Sequence, residues 1–139
     1  MKRSSTLILL LSAISLLLAC HSADKAPQHS TIEVKSNKHP LTEKAYVFLD
    51  SGKSDSAFMA FSQVKDIYLK NKDSILVAST LTNMAIIATE AGDSFNGQEY
   101  GLEAIKFLNA DNEAHQPYLI SILNNLGITS YDLSEFNKA

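Results

Sequence analysis

Histidine is the residue type in this chain best suited to acid–base or metal chemistry, and its spacing favours neither. His21, His29 and His39 stand eight and ten residues apart, which fits no compact set of metal ligands, so solvated linker histidines are predicted. His115 lies in a polar stretch and is predicted to be an exposed loop residue. No nucleotide-binding loop, serine-nucleophile elbow or zinc-protease motif occurs. We therefore expect a protein that is not an enzyme and needs no cofactor or metal.

The first twenty residues have the features of an export signal. Lys2 and Arg3 supply positive charge, and residues 7–18 form a largely apolar run that is too short to span a bilayer. The only cysteine is Cys20, which excludes a disulfide within the chain. The run Leu17-Leu18-Ala19-Cys20 resembles the bacterial lipobox, which implies that Cys20 becomes the lipid-modified first residue of the mature protein. A plain secretory signal followed by a chance cysteine is the alternative.

The charge balance argues against a polyanionic partner. Removal of residues 1–19 takes away two of the 12 basic residues, which leaves 10 against 15 acidic ones and a formal charge of −5. Electrostatic attraction to nucleic acid or to anionic lipid is therefore not expected. Residues 20–40 are polar and contain two of the three prolines, so they are predicted to be a tether between a lipid anchor and a folded region.

The folded region is predicted to be helical. From Leu41 onward the apolar residues recur at helical spacing, and no strand-like alternation competes with them, which predicts an all-α domain. The predicted buried stripes comprise Ala57, Phe61, Val64 and Tyr68, then Leu81, Met84, Ala85 and Ala88, and finally Gly101, Ala104, Ile105 and Leu108.

Several residues predict where helices begin, end and approach one another. Asp73 is a candidate N-cap, Gly92 suits the turn after that helix, and Pro117 is suited to the first position of a later helix. Gly97 and Gly101 stand four residues apart within a predicted helix, where glycine is unfavourable. Close approach of a neighbouring helix is the favoured interpretation, and a broken helix is the alternative.

One spacing occurs three times along the chain. A small residue is followed twelve residues later by another, with a turn between them, and the matching positions recur after 40 and then 42 residues. A period between about 20 and 50 residues indicates a structural unit stacked on copies of itself. The pairs are Ala45 with Ala57, Ala85 with Gly97 and Gly127 with Ala139, and the predicted turns are Ser51-Gly52-Lys53, Ala91-Gly92-Asp93 and Leu133-Ser134-Glu135.

The third unit resembles the core of a tetratricopeptide repeat. The matching residues are Leu126-Gly127 in its first helix, Phe136 just after the predicted turn and Ala139 three residues beyond it. The two earlier units match less completely, because Ser54 and Ser94 stand where an aromatic residue is expected. The resemblance implies a solenoid of antiparallel helix pairs, in units of about residues 41–70, 74–109 and 117–139, the last of them incomplete. An incomplete last unit would leave Leu123, Leu126 and Leu133 partly exposed.

The same resemblance implies a binding surface. In tetratricopeptide repeats the first helices line a concave groove that holds a partner segment, apolar and amide side chains being suited to this role. A row of acidic residues recurs in the groove, for which a solvated face is the alternative interpretation, and no Lys or Arg matches the family's clamp for acidic tails. The positions carried over are Tyr46, Ile86 and Ile128, Asn83 and Asn125, and the acids Asp50, Glu90 and Asp132.

Together these features predict an exported scaffold, lipid-anchored in the cell envelope, that binds a protein or peptide partner. Similar repeats behind such leaders occur in Bacteroidetes-like bacteria, often as the sensory half of larger signalling proteins, so a sensory region of a kinase or regulator is one alternative. A nutrient-binding outer-membrane lipoprotein is another, although the absence of tryptophan disfavours sugar binding.

Overall fold

The computed structural model describes residues 38–136, which form five helices. No strand occurs within that range, so the prediction of an all-α domain is confirmed. Each helix packs on the next one in sequence, and the third also contacts the fifth. The predicted signal, Cys20, most of the tether and Ala139 lie outside the described residues. The helices are α1 (Pro40–Asp50), α2 (Ser54–Lys70), α3 (Ser74–Glu90), α4 (Ser94–Ile105) and α5 (Gln116–Phe136).

Side-chain caps set the first residues of three helices. Asp73 accepts a hydrogen bond from the backbone N–H of Leu76 at 3.1 Å, which confirms it as the N-cap of α3. Asp93 caps α4 in the same way. Pro40 is the first residue of α1, where a proline loses no hydrogen bond, and Pro117 is the second residue of α5 instead of the predicted first. His39 caps α1, its Nδ1 accepting from the Leu41 N–H at 3.2 Å. The prediction that His39 is a solvated linker residue is therefore wrong, because the cap ties it to the fold.

The turns within the helix pairs depend on left-handed residues. Gly52 has a φ of 68° and Gly92 a φ of 86°, which confirms the turns predicted at 51–53 and 91–93. Lys72, with a φ of 56°, takes the same conformation between α2 and α3. The third predicted turn, Leu133-Ser134-Glu135, is wrong: α5 continues through it to Phe136. That segment contains neither glycine nor proline, so nothing in it favours a helix end.

The core is formed mainly by α2 and α3, and α1, α4 and α5 each add one buried apolar residue to it. The stripe predicted on α2 is fully buried, from Ala57 to Tyr68. Burial on α3 is not confined to a stripe, since every residue from Leu76 to Thr89 is buried. Its threonines can be accommodated because their hydroxyls donate to carbonyls one turn earlier: Thr80 to Leu76 at 2.7 Å, and Thr82 likewise to the preceding turn. Leu108 packs on the core from beyond the end of α4.

The two glycines of α4 mark its closest contacts. A Cβ built on Gly97 would overlap Oγ1 of Thr89 and lie 3.1 Å from the carbonyl oxygen of Ala85, both on α3. A Cβ on Gly101 would lie 2.7 Å from Cδ2 of Leu126 on α5. The helix is continuous through both glycines, so close approach is confirmed and a broken helix is not found.

Candidate functional site

Tyr46 and Asn83, two predicted groove residues, lie together and connect α1 to α3. Nδ2 of Asn83 donates to the Tyr46 hydroxyl at 3.0 Å and to the Ser79 carbonyl at 3.0 Å. The Tyr46 ring packs edge-on against Phe61, with centroids 5.3 Å apart. Asn83 is only 2% exposed, so its amide serves this internal connection and is not accessible to a partner in this structure.

Lys38, a basic residue that was predicted to belong to the tether, lies beside this pair. Nζ of Lys38 lies 5.4 Å from the centroid of the Tyr46 ring, within the range of a cation–π interaction. Its signal in the sequence was weak, because Lys38 precedes the first apolar-periodic residue. The contact nevertheless places one basic side chain beside Tyr46, at one end of a predicted groove in which no Lys or Arg was expected.

Two other predicted groove residues are also inside the protein. Ile86 is 8% exposed and Asn125 is 4% exposed. The carbonyl oxygen of Asn125 accepts a hydrogen bond from Oγ1 of Thr129 at 3.0 Å, and Thr129 in turn pairs with Thr89 across the α3–α5 contact at 3.2 Å. These residues pack α5 onto α3, and neither Ile86 nor Asn125 is open to a partner in this structure.

The predicted acidic row is largely exposed and sits at unfavourable positions. Asp50 is the last residue of α1 and Glu90 the last residue of α3, and neither helix has a basic residue in its last turn. A negative charge at a helix C-terminus is disfavoured by the helix dipole. By contrast α2 ends in Lys70, which the dipole favours. Asp132, the third acid, is half-buried within α5.

These acids have no ion-pair partner among the residues that the structure describes. The ion pairs there join Lys38 to Glu43 at 4.0 Å and Lys65 to Asp66 at 3.9 Å. The charges of the row therefore remain available to a partner.

The last predicted groove residue, Ile128, belongs to a different surface. It lines an open depression on α5 together with Leu123, Gly127 and Tyr131. Ile120 and Tyr131, 68% and 61% exposed, were not predicted, although their helical spacing from Leu123 could have indicated them. We call this surface the α5 outer face and define it as Ile120, Leu123, Asn124, Gly127, Ile128 and Tyr131.

All three leucines of the third unit are partly exposed, as expected, but to different degrees. Leu123 is 57% exposed. Leu126 is half-buried, because it packs against Gly101 of α4, and Leu133 is also half-buried. The neighbouring helix α4 thus covers one side of α5 and leaves its outer face uncovered by described residues.

The remaining polar candidates have structural roles. Nδ1 of His115 accepts from the Asn109 N–H at 2.9 Å, which orders the loop between α4 and α5 and leaves this histidine half-buried instead of fully exposed. The side chain and the backbone N–H of Asn96 both donate to Asp93, and these bonds lower the pKa of that carboxyl group. Within residues 38–136 no group of three or more His, Cys, Asp or Glu side chains could hold a metal ion.

No protein-family model, curated protein or solved structure matches the chain. None of the helices in the described part of the chain has the length and apolarity needed to cross a membrane.

Proposed function

We propose that this chain is a tetratricopeptide-like scaffold that binds a protein segment in which basic residues accompany apolar ones. The observation that carries the proposal is the acid at the last residue of both α1 and α3, recurring as Asp132 on α5. Two equivalent helix ends with a charge that the dipole disfavours are better explained by a cationic partner than by stability.

The acids are expected to select the partner and not to provide most of the affinity. Exposed ion pairs contribute only about 0 to 1 kcal/mol each, and salt screens them. Burial of apolar surface contributes about 25 cal/mol per Å². The accessible part of Tyr46, which is half-buried, is the apolar surface of the predicted groove that a partner can still bury. Basic residues in the partner would then be favoured, and acidic ones rejected.

The proposal includes attachment to the cell envelope. A lipid-modified Cys20 would hold the scaffold at a membrane through the polar residues that follow it, which supports binding of partners at that surface. A single acyl chain gives only marginal binding, so firm anchoring requires the several chains of a bacterial lipoprotein. This part of the proposal depends on the leader alone.

Peptide titration tests the proposed groove. The wild-type chain is titrated by fluorescence anisotropy with apolar peptides that differ only in carrying lysine or glutamate. We expect the lysine series to bind more tightly, and Glu90→Lys to remove that preference. Glu99→Lys is the matched control, because Glu99 is exposed on α4 and lies outside the acidic row.

The apolar contribution is tested with the same peptides. Tyr46→Leu should weaken binding more than Glu90→Gln does, and the partial exposure of Tyr46 makes it a better probe than the buried Ile86. Equal binding of both peptide series by the wild type, with no response to Glu90→Lys, would mean that the acids form only a solvated face.

A further inference from the structure

Lys38, the first residue that the structure describes, packs its side chain along α1. That side chain is only 14% exposed, which is unusual for a lysine. Its Nζ lies 5.4 Å from the centroid of the Tyr46 ring and 4.0 Å from Oε1 of Glu43. An aromatic face and a carboxylate are both groups that attract an ammonium ion. Glu43 and Tyr46 therefore form a site for a basic side chain, which we call the ammonium site, and Lys38 fills it.

The aromatic wall of the ammonium site is held in place from behind. Nδ2 of Asn83 donates to the Tyr46 hydroxyl at 3.0 Å, and the Phe61 ring packs against the Tyr46 ring at an interplanar angle of 82°. Asn83 and Phe61 are 2% and 0% exposed, so both supports belong to the interior. Because neither support involves Lys38, the ring keeps its position when that lysine leaves.

A second lysine on α1 shows that an aromatic neighbour alone does not cover a lysine. Nζ of Lys44 lies 5.6 Å from the centroid of the Phe48 ring, a distance close to that between Lys38 and Tyr46. Lys44 is nevertheless exposed, and no carboxylate pairs with it among the described residues. The burial of Lys38 therefore depends on the combination of ring and carboxylate that the ammonium site provides.

The ammonium site adjoins the acidic row. Tyr46 lies four residues before Asp50, so the two residues share one face of α1. Tyr46 is also the residue whose remaining apolar surface a partner is expected to bury. A lysine of the chain itself thus stands where a basic and partly apolar segment would bind.

We propose that the ammonium site receives a lysine or arginine side chain of the partner, and that Lys38 occupies this site until the partner arrives. The inference rests on the proposed function, because it names the residues of the groove that hold the partner's cation. A partner binds by replacing the Lys38 ammonium group, which then moves into solvent. Lys38 therefore lowers the apparent affinity for basic segments in proportion to the fraction of molecules in which it fills the site.

The lysine and glutamate peptides of the groove test measure this competition. We expect Lys38→Ala to bind the lysine peptide about threefold to tenfold more tightly than the wild type, as loss of a cation–π contact and a weak ion pair implies. Lys44→Ala is the matched control, because it removes the same charge from α1 without opening the ammonium site. Lys38→Arg keeps a cation at the ring and should bind the peptide no more tightly than the wild type.

Chemical labelling follows Lys38 without reference to affinity. In reductive methylation with mass-spectrometric mapping, Lys38 should react more slowly than the exposed Lys44. Glu43→Gln, at a side chain that is 67% exposed, should speed the labelling of Lys38 while leaving the fold intact. A saturating peptide that carries arginine, which the reagent does not modify, should also speed it, whereas the glutamate peptide should not. Neither change should affect Lys44.

The outcomes separate this inference from the proposed function. Equal gains in affinity for Lys38→Ala and Lys44→Ala would overturn the inference and leave the proposed function standing, because net charge would then explain both. Equal labelling of Lys38 and Lys44 in the free wild type would also overturn it, because the ammonium site would not be filled. If neither the wild type nor Lys38→Ala prefers the lysine peptide, the proposed function fails and the partner's use of the site fails with it, even when Lys38 is protected from labelling.

Discussion

The contact of Gly97 with Thr89 allows a quantitative test of how α4 packs on α3. Gly97→Ala places a methyl group on Oγ1 of Thr89, which is held by a 2.9 Å hydrogen bond to the Ala85 carbonyl and a 3.2 Å bond to Thr129. Overpacking costs about 1 to 3 kcal/mol, and displacement of the hydroxyl loses about 1 kcal/mol for each bond. The gain in helix propensity returns about 1 kcal/mol.

With overpacking at the lower end of its range, these terms give a net loss of about 2 kcal/mol in the free energy of unfolding. For a domain of about 100 residues this lowers Tm by roughly 8 to 16 °C. In a Thr89→Ala background the Oγ1 is gone and only the Ala85 carbonyl oxygen, 3.1 Å from the added Cβ, remains tight, while Thr129 keeps its bond to the Asn125 carbonyl. There Gly97→Ala should be neutral or stabilising by up to about 1 kcal/mol, a coupling of about 2 to 3 kcal/mol between the two sites.

Urea unfolding of the wild type, both single variants and the double variant measures this coupling. Gly127→Ala is the matched control, because an added Cβ there meets nothing within 4 Å and should stabilise the chain by about 1 kcal/mol through helix propensity. If Gly97→Ala has the same effect with and without the Thr89 hydroxyl, the reasoning from this contact is refuted.

Three further predictions concern a hydrogen bond, a turn and a cap. Tyr68→Phe should destabilise the chain by about 1 to 3 kcal/mol in chemical unfolding. The Tyr68 hydroxyl lies 2.6 Å from the buried Thr42 hydroxyl and 2.8 Å from the His39 N–H, and the substitution leaves both without that partner. Adding Thr42→Val should recover part of the loss, and a neutral Tyr68→Phe would contradict this. Lys72→Gly should raise Tm slightly, because relief of about 1 to 2 kcal/mol of strain in the left-handed conformation at φ 56° exceeds the added entropy of the unfolded chain. Gly92→Ala should lower Tm for the opposite reason. A lower Tm for Lys72→Gly would argue against strain at this residue. Because the folded pKa of Asp93 lies below its ordinary value of 3.8, its cap should stabilise the fold above that pH and lose this effect as pH falls through the lowered pKa. In thermal melts between pH 2 and 6, the Tm of Asp93→Asn should therefore depend less on pH than the Tm of the wild type. Identical profiles would exclude a contribution from this carboxylate.

Local features of the structure were predictable because they depend on neighbours in sequence. The caps at Asp73 and Asp93 and the left-handed glycines at 52 and 92 need only a few adjacent residues to form. The apolar stripe on α2 was predictable for the same reason, since helical spacing alone assigns its residues to one face. Where such signals were absent, at Leu133-Ser134-Glu135, repeat spacing alone predicted a turn, and the helix continued instead.

The functional surface was less predictable, because accessibility depends on which helices meet. Repeat spacing selected Asn83 and Ile86 as groove residues, but their burial on α3 follows from contacts that no local pattern contains. The acids at the ends of α1 and α3 are different, since both are exposed, as a groove and a solvated face would each require. The sequence of this protein determined its helices, caps and repeat spacing, because these depend on residues within a turn or two. Only the tertiary structure decided that Gly97 meets Thr89 and Gly101 meets Leu126, while Gly127 meets no helix among residues 38–136, because close packing is a property of two helices at once.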